Sequence, residues 1–161
     1  MTDPVEMQLV GVRVELPTNQ PIVLLRERTG ERFLPIWIGP VEATAIAFAL
    51  QGIVTQRPMT HDLMKSILEE LHVGVDRVVI TELKDTTFFA EIVMSRDGQS
   101  YSVSSRPSDA IALAVRSSVP LFCAPEVLSD AGIIIRDDEE QEREVQQFRE
   151  FIETVTPEDF K

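Results

Sequence analysis

A chain of 161 residues, 43% hydrophobic and 26% charged, can bury one core and is too polar throughout to live in a bilayer. No apolar run approaches the ~20 residues of a membrane-spanning helix, Met1-Thr2-Asp3-Pro4 lacks the basic and apolar segments of a secretory leader, and the lone Cys123 excludes an internal disulfide, so a cytoplasmic protein is expected. The net charge of −12 opposes nucleic-acid binding, which needs clustered Lys and Arg, although residues 137–161 carry −7 of it and leave only −5 on residues 1–136, where a local basic groove has room to exist.

In chain order, Val10 to Leu16 alternates with period two and predicts a strand, with Gln8, Val10, Val12, Val14 and Leu16 on one face. Residues 17–21 are a turn. Ile22–Leu25 and Phe33–Ile38 are strands about the hairpin tip Glu27-Arg28-Thr29-Gly30, where glycine is available for positive φ. A largely apolar, buried helix is expected from Pro40 to Gln51. After a connector, Thr60 is placed as the N-cap of a helix ending near His72, with Leu63, Ile67, Leu68 and Leu71 as its apolar stripe and Gly74 as its stop.

Strands follow at Val75–Leu83, Phe88–Met94 and Tyr101–Ser104, then a helix from Pro107 to Ser117. Val119–Cys123 is a short strand, Pro125–Asp130 a short helix closed by Gly132, and Ile133–Ile135 a strand. Residues 139–155 predict an amphipathic helix with Val145, Phe148, Ile152 and Val155 on one face and acids on the other. The expected fold class is α+β: duplicated β-β-β-α units with a mixed or antiparallel sheet packed by helices, plus the C-terminal amphipathic helix. The domains are residues 1–136 and an acidic helix and tail at 137–161.

The duplication rests on a repeated segment. Ile38-Gly39-Pro40-Val41-Glu42-Ala43 reads against Ser105-Arg106-Pro107-Ser108-Asp109-Ala110, 67 positions later. Each copy has proline, then an acid two residues on, then an apolar run. Proline suits a first helical position, and an acid in the first turn faces the positive end of the helix dipole. Glu42 and Asp109 read either as ordinary first-turn acids or as carboxylates brought together by the repeat to bind a divalent cation through oxygen.

Arg57-Pro58-Met59-Thr60-His61-Asp62 is a second polar cluster. His61 and Asp62 supply a general base, a metal ligand or a phosphate contact, or else a cap beside an idle histidine. Arg57 and Arg106 each precede proline and either bind phosphate through paired hydrogen bonds or neutralise a nearby acid. Arg116 and His72 fit dipole partners at helix ends. Trp37, the only tryptophan, is assigned to core or interface, and Cys123 to an inert core position. There is no phosphate-binding glycine loop, zinc-type Cys/His spacing or nucleophile elbow.

Phe33-Leu34-Pro35-Ile36-Trp37-Ile38-Gly39 with Glu42-Ala43, Arg57-Pro58-Met59-Thr60-His61-Asp62-Leu63, and Arg106-Pro107-Ser108-Asp109-Ala110-Ile111-Ala112-Leu113-Ala114, in that order, resemble the bifunctional nuclease domain family over about residues 5–135. The resemblance implies an α+β fold with internal duplication, self-association, and nuclease activity on DNA and RNA. Residue by residue it marks Glu42, Arg57, Thr60, His61, Asp62, Arg106, Ser108 and Asp109. Ser104 and Ser105 stand where many members carry an acid.

Two functional expectations follow. In the first, Glu42, Asp62 and Asp109 hold magnesium or manganese, His61 transfers a proton, and Arg57, Arg106, Thr60 and Ser108 bind the phosphodiester of DNA or RNA. In the second, the chain is a non-catalytic binding or regulatory homodimer, or higher homo-oligomer, whose acidic C-terminal helix recruits a protein partner.

Overall fold

Two three-stranded antiparallel meanders, each followed by a helix, account for most of the molecule. The computed structural model describes residues 3–15, 18–135 and 146. The first meander is β1 (Val5–Glu15), β2 (Gln20–Glu27) and β3 (Arg32–Trp37), leading into α1 (Pro40–Gln51). Then α2 (Thr60–Glu70) precedes the second meander, β4 (Gly74–Lys84), β5 (Thr87–Arg96) and β6 (Gln99–Ser105), which leads into α3 (Pro107–Ser117). The chain continues through β7 (Leu121–Cys123), α4 (Pro125–Ala131) and β8 (Ile133–Ile134). The predicted helix over 139–155 lies outside the described residues but for residue 146.

All eight strands form one mixed sheet in the order β6-β5-β4-β7-β1-β2-β3-β8. The short β7 joins the meanders, antiparallel to β1 and parallel to β4. Leu121 thus faces Met7 on one side and Val78 on the other. A parallel neighbour requires a crossover, and α3 supplies it by carrying the chain from the outer strand β6 back to the middle of the sheet.

Consecutive residues on a strand point to opposite faces. Val23, Leu24 and Leu25 of β2 and Val78, Val79 and Ile80 of β4 are all buried, so both faces of the sheet are covered there. Ile46 of α1, Ile111 and Leu113 of α3 and Leu128 of α4 are fully buried and share one core with those strands. Cys123 also lies in that core, as the sequence suggests, and burial pushes its thiol up to about 12.

Some local expectations change for identifiable reasons. A bulge between Leu9 and Gly11 adds one residue to β1 and reverses its side-chain parity, so Val10 is exposed while Met7, Val12 and Val14 are buried. Gly30 does not take positive φ; a Cβ there would meet the Glu27 carboxylate, which folds across the hairpin tip to bind the Arg32 backbone and guanidinium. Met59, not Thr60, is the N-cap of α2, and His72, not Gly74, takes the left-handed turn after it. Of the predicted stripe Leu68 packs on the core, joined there by Met64, whereas Leu63, Ile67 and Leu71 are half exposed. Trp37 is not in the core.

The helices α1 and α3 pack on each other, and α2 packs on α3. The starts of all three helices thereby come to the same region of the surface.

Candidate active site

Each of the three helices carries an acid at its third residue: Glu42 in α1, Asp62 in α2 and Asp109 in α3. Helices α1 and α3 begin on proline, with no side-chain cap, after Gly39 and Arg106 respectively. Glu42 and Asp109 both turn to the same cation. Arg106 donates from Nε to Asp109 Oδ2 at 2.9 Å and from Nη2 to Asp109 Oδ1 at 3.1 Å, a two-bond fork. Its Nη1 donates to Glu42 Oε1 at 3.0 Å. Gly39 makes this possible, because a Cβ at that position would sit on the Glu42 carboxylate.

Behind Asp109 stands His61, whose Nε2 lies 2.9 Å from Asp109 Oδ1. Its side chain is only 9% exposed, against 63% for Arg106. The result is a line from α2 through α3 to α1: His61, Asp109, Arg106, Glu42. Burial works to raise the Asp109 carboxyl, but hydrogen bonds from Arg106 and His61 outweigh it and hold that carboxyl below its ordinary range.

One side of this line opens into a cavity of about 310 Å³. Glu42, Arg106 and the buried Ser108 line it, together with Trp37, Phe88 and Thr86. His61 does not reach that cavity. It borders a smaller one of about 50 Å³ with Thr60 and Arg116.

The expected set of site residues therefore divides. Glu42, His61, Arg106 and Asp109 come together, and Ser108 lies beside them. Arg57 and Thr60 are exposed and take no part in the ion-pair line. Asp62 is occupied elsewhere: its Oδ2 accepts the Met59 N–H at 3.1 Å, and its Oδ1 takes Nε of Arg116. The proposed metal set of Glu42, Asp62 and Asp109 consequently does not assemble; among the described residues no group of three His, Cys, Asp or Glu could hold a metal ion. A dication between Glu42 and Asp109 would have to displace the Arg106 guanidinium.

Sequence reasoning underrated Arg116. It does bind a carbonyl at its own helix end, from Nη1 to Ala112 O at 3.0 Å. It also reaches Asp62 and, through Nη2, Ala45 O at 3.0 Å in α1. This side chain, 8% exposed, ties the three helices together. The arginine near a helix end was visible in the sequence, but partners 54 and 71 positions away were not.

Two outcomes follow from these contacts. Arg116→Ala should lower unfolding stability by about 1.5–3 kcal/mol, towards the lower figure because Asp62 is part-exposed, with Arg116→Lys recovering only part; urea denaturation measures both. Burial opposes ionisation of Asp62 as well, but Arg116 and the Met59 N–H outweigh it and hold its carboxyl low. Folded-state values below the ordinary 3.8 mean that both carboxylates contribute stability fully above that pH, and that the contribution is lost as pH falls below it. The urea midpoint of an Asp62→Asn, Asp109→Asn double variant should start lower and fall less steeply through that acid range than that of the parent.

Comparison with known proteins gives the family of the chain. The family described as "Bifunctional nuclease domain" matches residues 23–136. An uncharacterised protein of Mycobacterium tuberculosis (strain ATCC 25618 / H37Rv) is 44% identical over 97% of this chain and 98% of its own length. Bifunctional nuclease 2 of Arabidopsis thaliana is 30% identical over 66% of this chain, and bifunctional nuclease 2 of Oryza sativa subsp. japonica 29% over 69%. The chain spans about a third of the length of those two plant proteins, 34% and 35%. With most of its length matched, and with the repeated Pro-x-acid helix starts inside the matched region, this chain belongs to the bifunctional nuclease domain family.

Proposed function

We propose that the protein hydrolyses phosphodiester bonds of nucleic acid in the cavity bounded by Glu42 and Arg106. The observation that carries this reading is an exposed guanidinium, fixed on one edge, at the wall of a cavity that also presents a carboxylate. A guanidinium has five N–H donors. Three are engaged by Asp109 and Glu42, leaving one on each terminal nitrogen for two phosphate oxygens. Asp109, itself held by His61, positions that fork.

In the reaction, a water oxygen attacks phosphorus, Glu42 takes the water's proton, and one ester P–O bond breaks. The departing sugar oxygen takes a proton from solvent. Arg106 stabilises the charge that grows on the phosphoryl oxygens. His61 acts through Asp109 rather than on substrate, because it lies outside the larger cavity. The names of the plant relatives support the chemistry, as does membership of the family.

The resemblance of the two halves is taken as an internal duplication. Support comes from the strand order, which runs outward in the same sense from β7 on both sides, and from the shared first residues of α1 and α3. A second reading, a self-associating protein that binds rather than cleaves, has in its favour the half-exposed Leu63, Ile67 and Leu71, which recur every four residues along α2 and into its C-cap.

Cleavage of labelled single-stranded DNA and RNA by purified protein tests the hydrolytic reading. Glu42→Gln should lower kcat by about 10²–10⁴, and Arg106→Ala should raise KM and lower kcat. Equal activity in parent and both variants would overturn it. Light scattering tests self-association: the parent should be larger than a monomer, and Ile67→Glu should shift it towards one. A parent that is monomeric at high concentration rules that reading out.

A further inference from the structure

We infer that the larger cavity is a one-nucleotide subsite in which a base stacks on Trp37 while its phosphate lies on Arg106, so that the protein takes single-stranded and not duplex nucleic acid. The inference rests on the phosphodiesterase reading only in assigning Arg106 to phosphate.

Trp37 is the starting point. It ends β3 between Ile36 and Ile38, which are both buried, yet Trp37 itself is 51% exposed. A large aromatic side chain left half in water forgoes burial that its neighbours obtain, and aromatic residues so placed are common where a flat ligand stacks. Trp37 lines the cavity, as does Phe88 from the start of β5. Arg106, Glu42 and Ser108 supply its polar wall. At about 310 Å³ the space is at the small end for a ligand site, the size of a nucleotide rather than a helix of nucleic acid. Part of the rim is Thr86, a β-branched residue held at φ 66° in the β4–β5 turn. Such a conformation is unfavourable for threonine.

The chemistry selects the strand. In a duplex each base is paired and stacked on its neighbours, and it must be turned out of the helix to meet a side chain. A single strand offers base faces at little cost. The charge of the protein points the same way. With a net charge of −12 the overall field repels a long polyanionic backbone, so affinity is assigned to stacking and one phosphate contact.

The sole tryptophan makes the test direct. Trp37 fluorescence is titrated with a phosphorothioate oligothymidylate that resists cleavage, with an abasic strand of equal length, and with a duplex. The intact strand should quench, the abasic strand should bind about 5- to 150-fold more weakly, and the duplex should leave the signal unchanged. Binding followed by anisotropy of a labelled strand should weaken over the same range in Trp37→Ala and less in Trp37→Phe, with the melting temperatures of both variants checked against the parent. The slope of log affinity against log salt should be about −0.7, one phosphate contact on a single strand. Equal binding of intact and abasic strands, an unchanged Trp37→Ala, or no binding by any strand overturns the subsite. Base-dependent quenching in a protein that shows no Glu42-dependent cleavage retains the subsite and removes only the hydrolytic reading.

Discussion

The guanidinium of Arg106 holds two carboxylates from separate halves of the chain, and the geometry of the surface region depends on it. Glu42 and Asp109 each begin a helix, and those helices pack side by side. Without a cation between them, two acids in that position would repel. With it, Asp109 has a two-bond fork on one side and His61 on the other, and Glu42 is held at the mouth of the cavity. The network adds little stability of its own, since an ion pair to a side chain 63% exposed contributes only ~0–1 kcal/mol. Arg116 differs: it is buried and bonded to three helices, and it supports the region mechanically. One arginine stabilises the helix packing, and the other is left where a ligand can reach it.

That division explains the two fates of the acids. All three stand at the same point of a helix. The Met59 N–H takes one oxygen of Asp62, and Arg116 takes the other. Glu42 and Asp109 follow Gly39-Pro40 and Arg106-Pro107, and they point across the helix junction. Gly39 completes the arrangement by leaving room for the Glu42 carboxylate.

Electrostatics also limit which nucleic acid would suit the proposed reaction. The guanidinium is balanced by two carboxylates, and the whole chain is acidic. Long-range attraction of a polyanion is therefore absent, and recognition has to be short-range. Apolar contact with the half-exposed Trp37 is the kind of interaction that acids do not weaken.

Much of this was legible in the amino-acid order. Pro40 and Pro107 announced two helix starts, and α1 and α3 begin there. A period-two run located β1 and apolar runs between turn residues located other strands, and the Arg-Pro-Ser-Asp and Met-Thr-His-Asp clusters marked two of the three helix starts that meet. These are local signals, set by backbone sterics and side-chain spacing within a few residues. The bulge in β1 escaped them because its extra residue is defined only against β2. Which acid meets which arginine escaped them too. Arg106 and Glu42 are 64 positions apart, and His61 and Asp109 are 48 apart. Those distances close only when β7 enters the middle of the sheet and α3 packs between α1 and α2. The sequence by itself determined the starts of α1 and α3 and, to within one residue, that of α2, and which charged groups stand there; the packing of three helices on one sheet decided which of them share a proton or a cation, because such pairing depends on separations of about 3 Å that no local rule encodes.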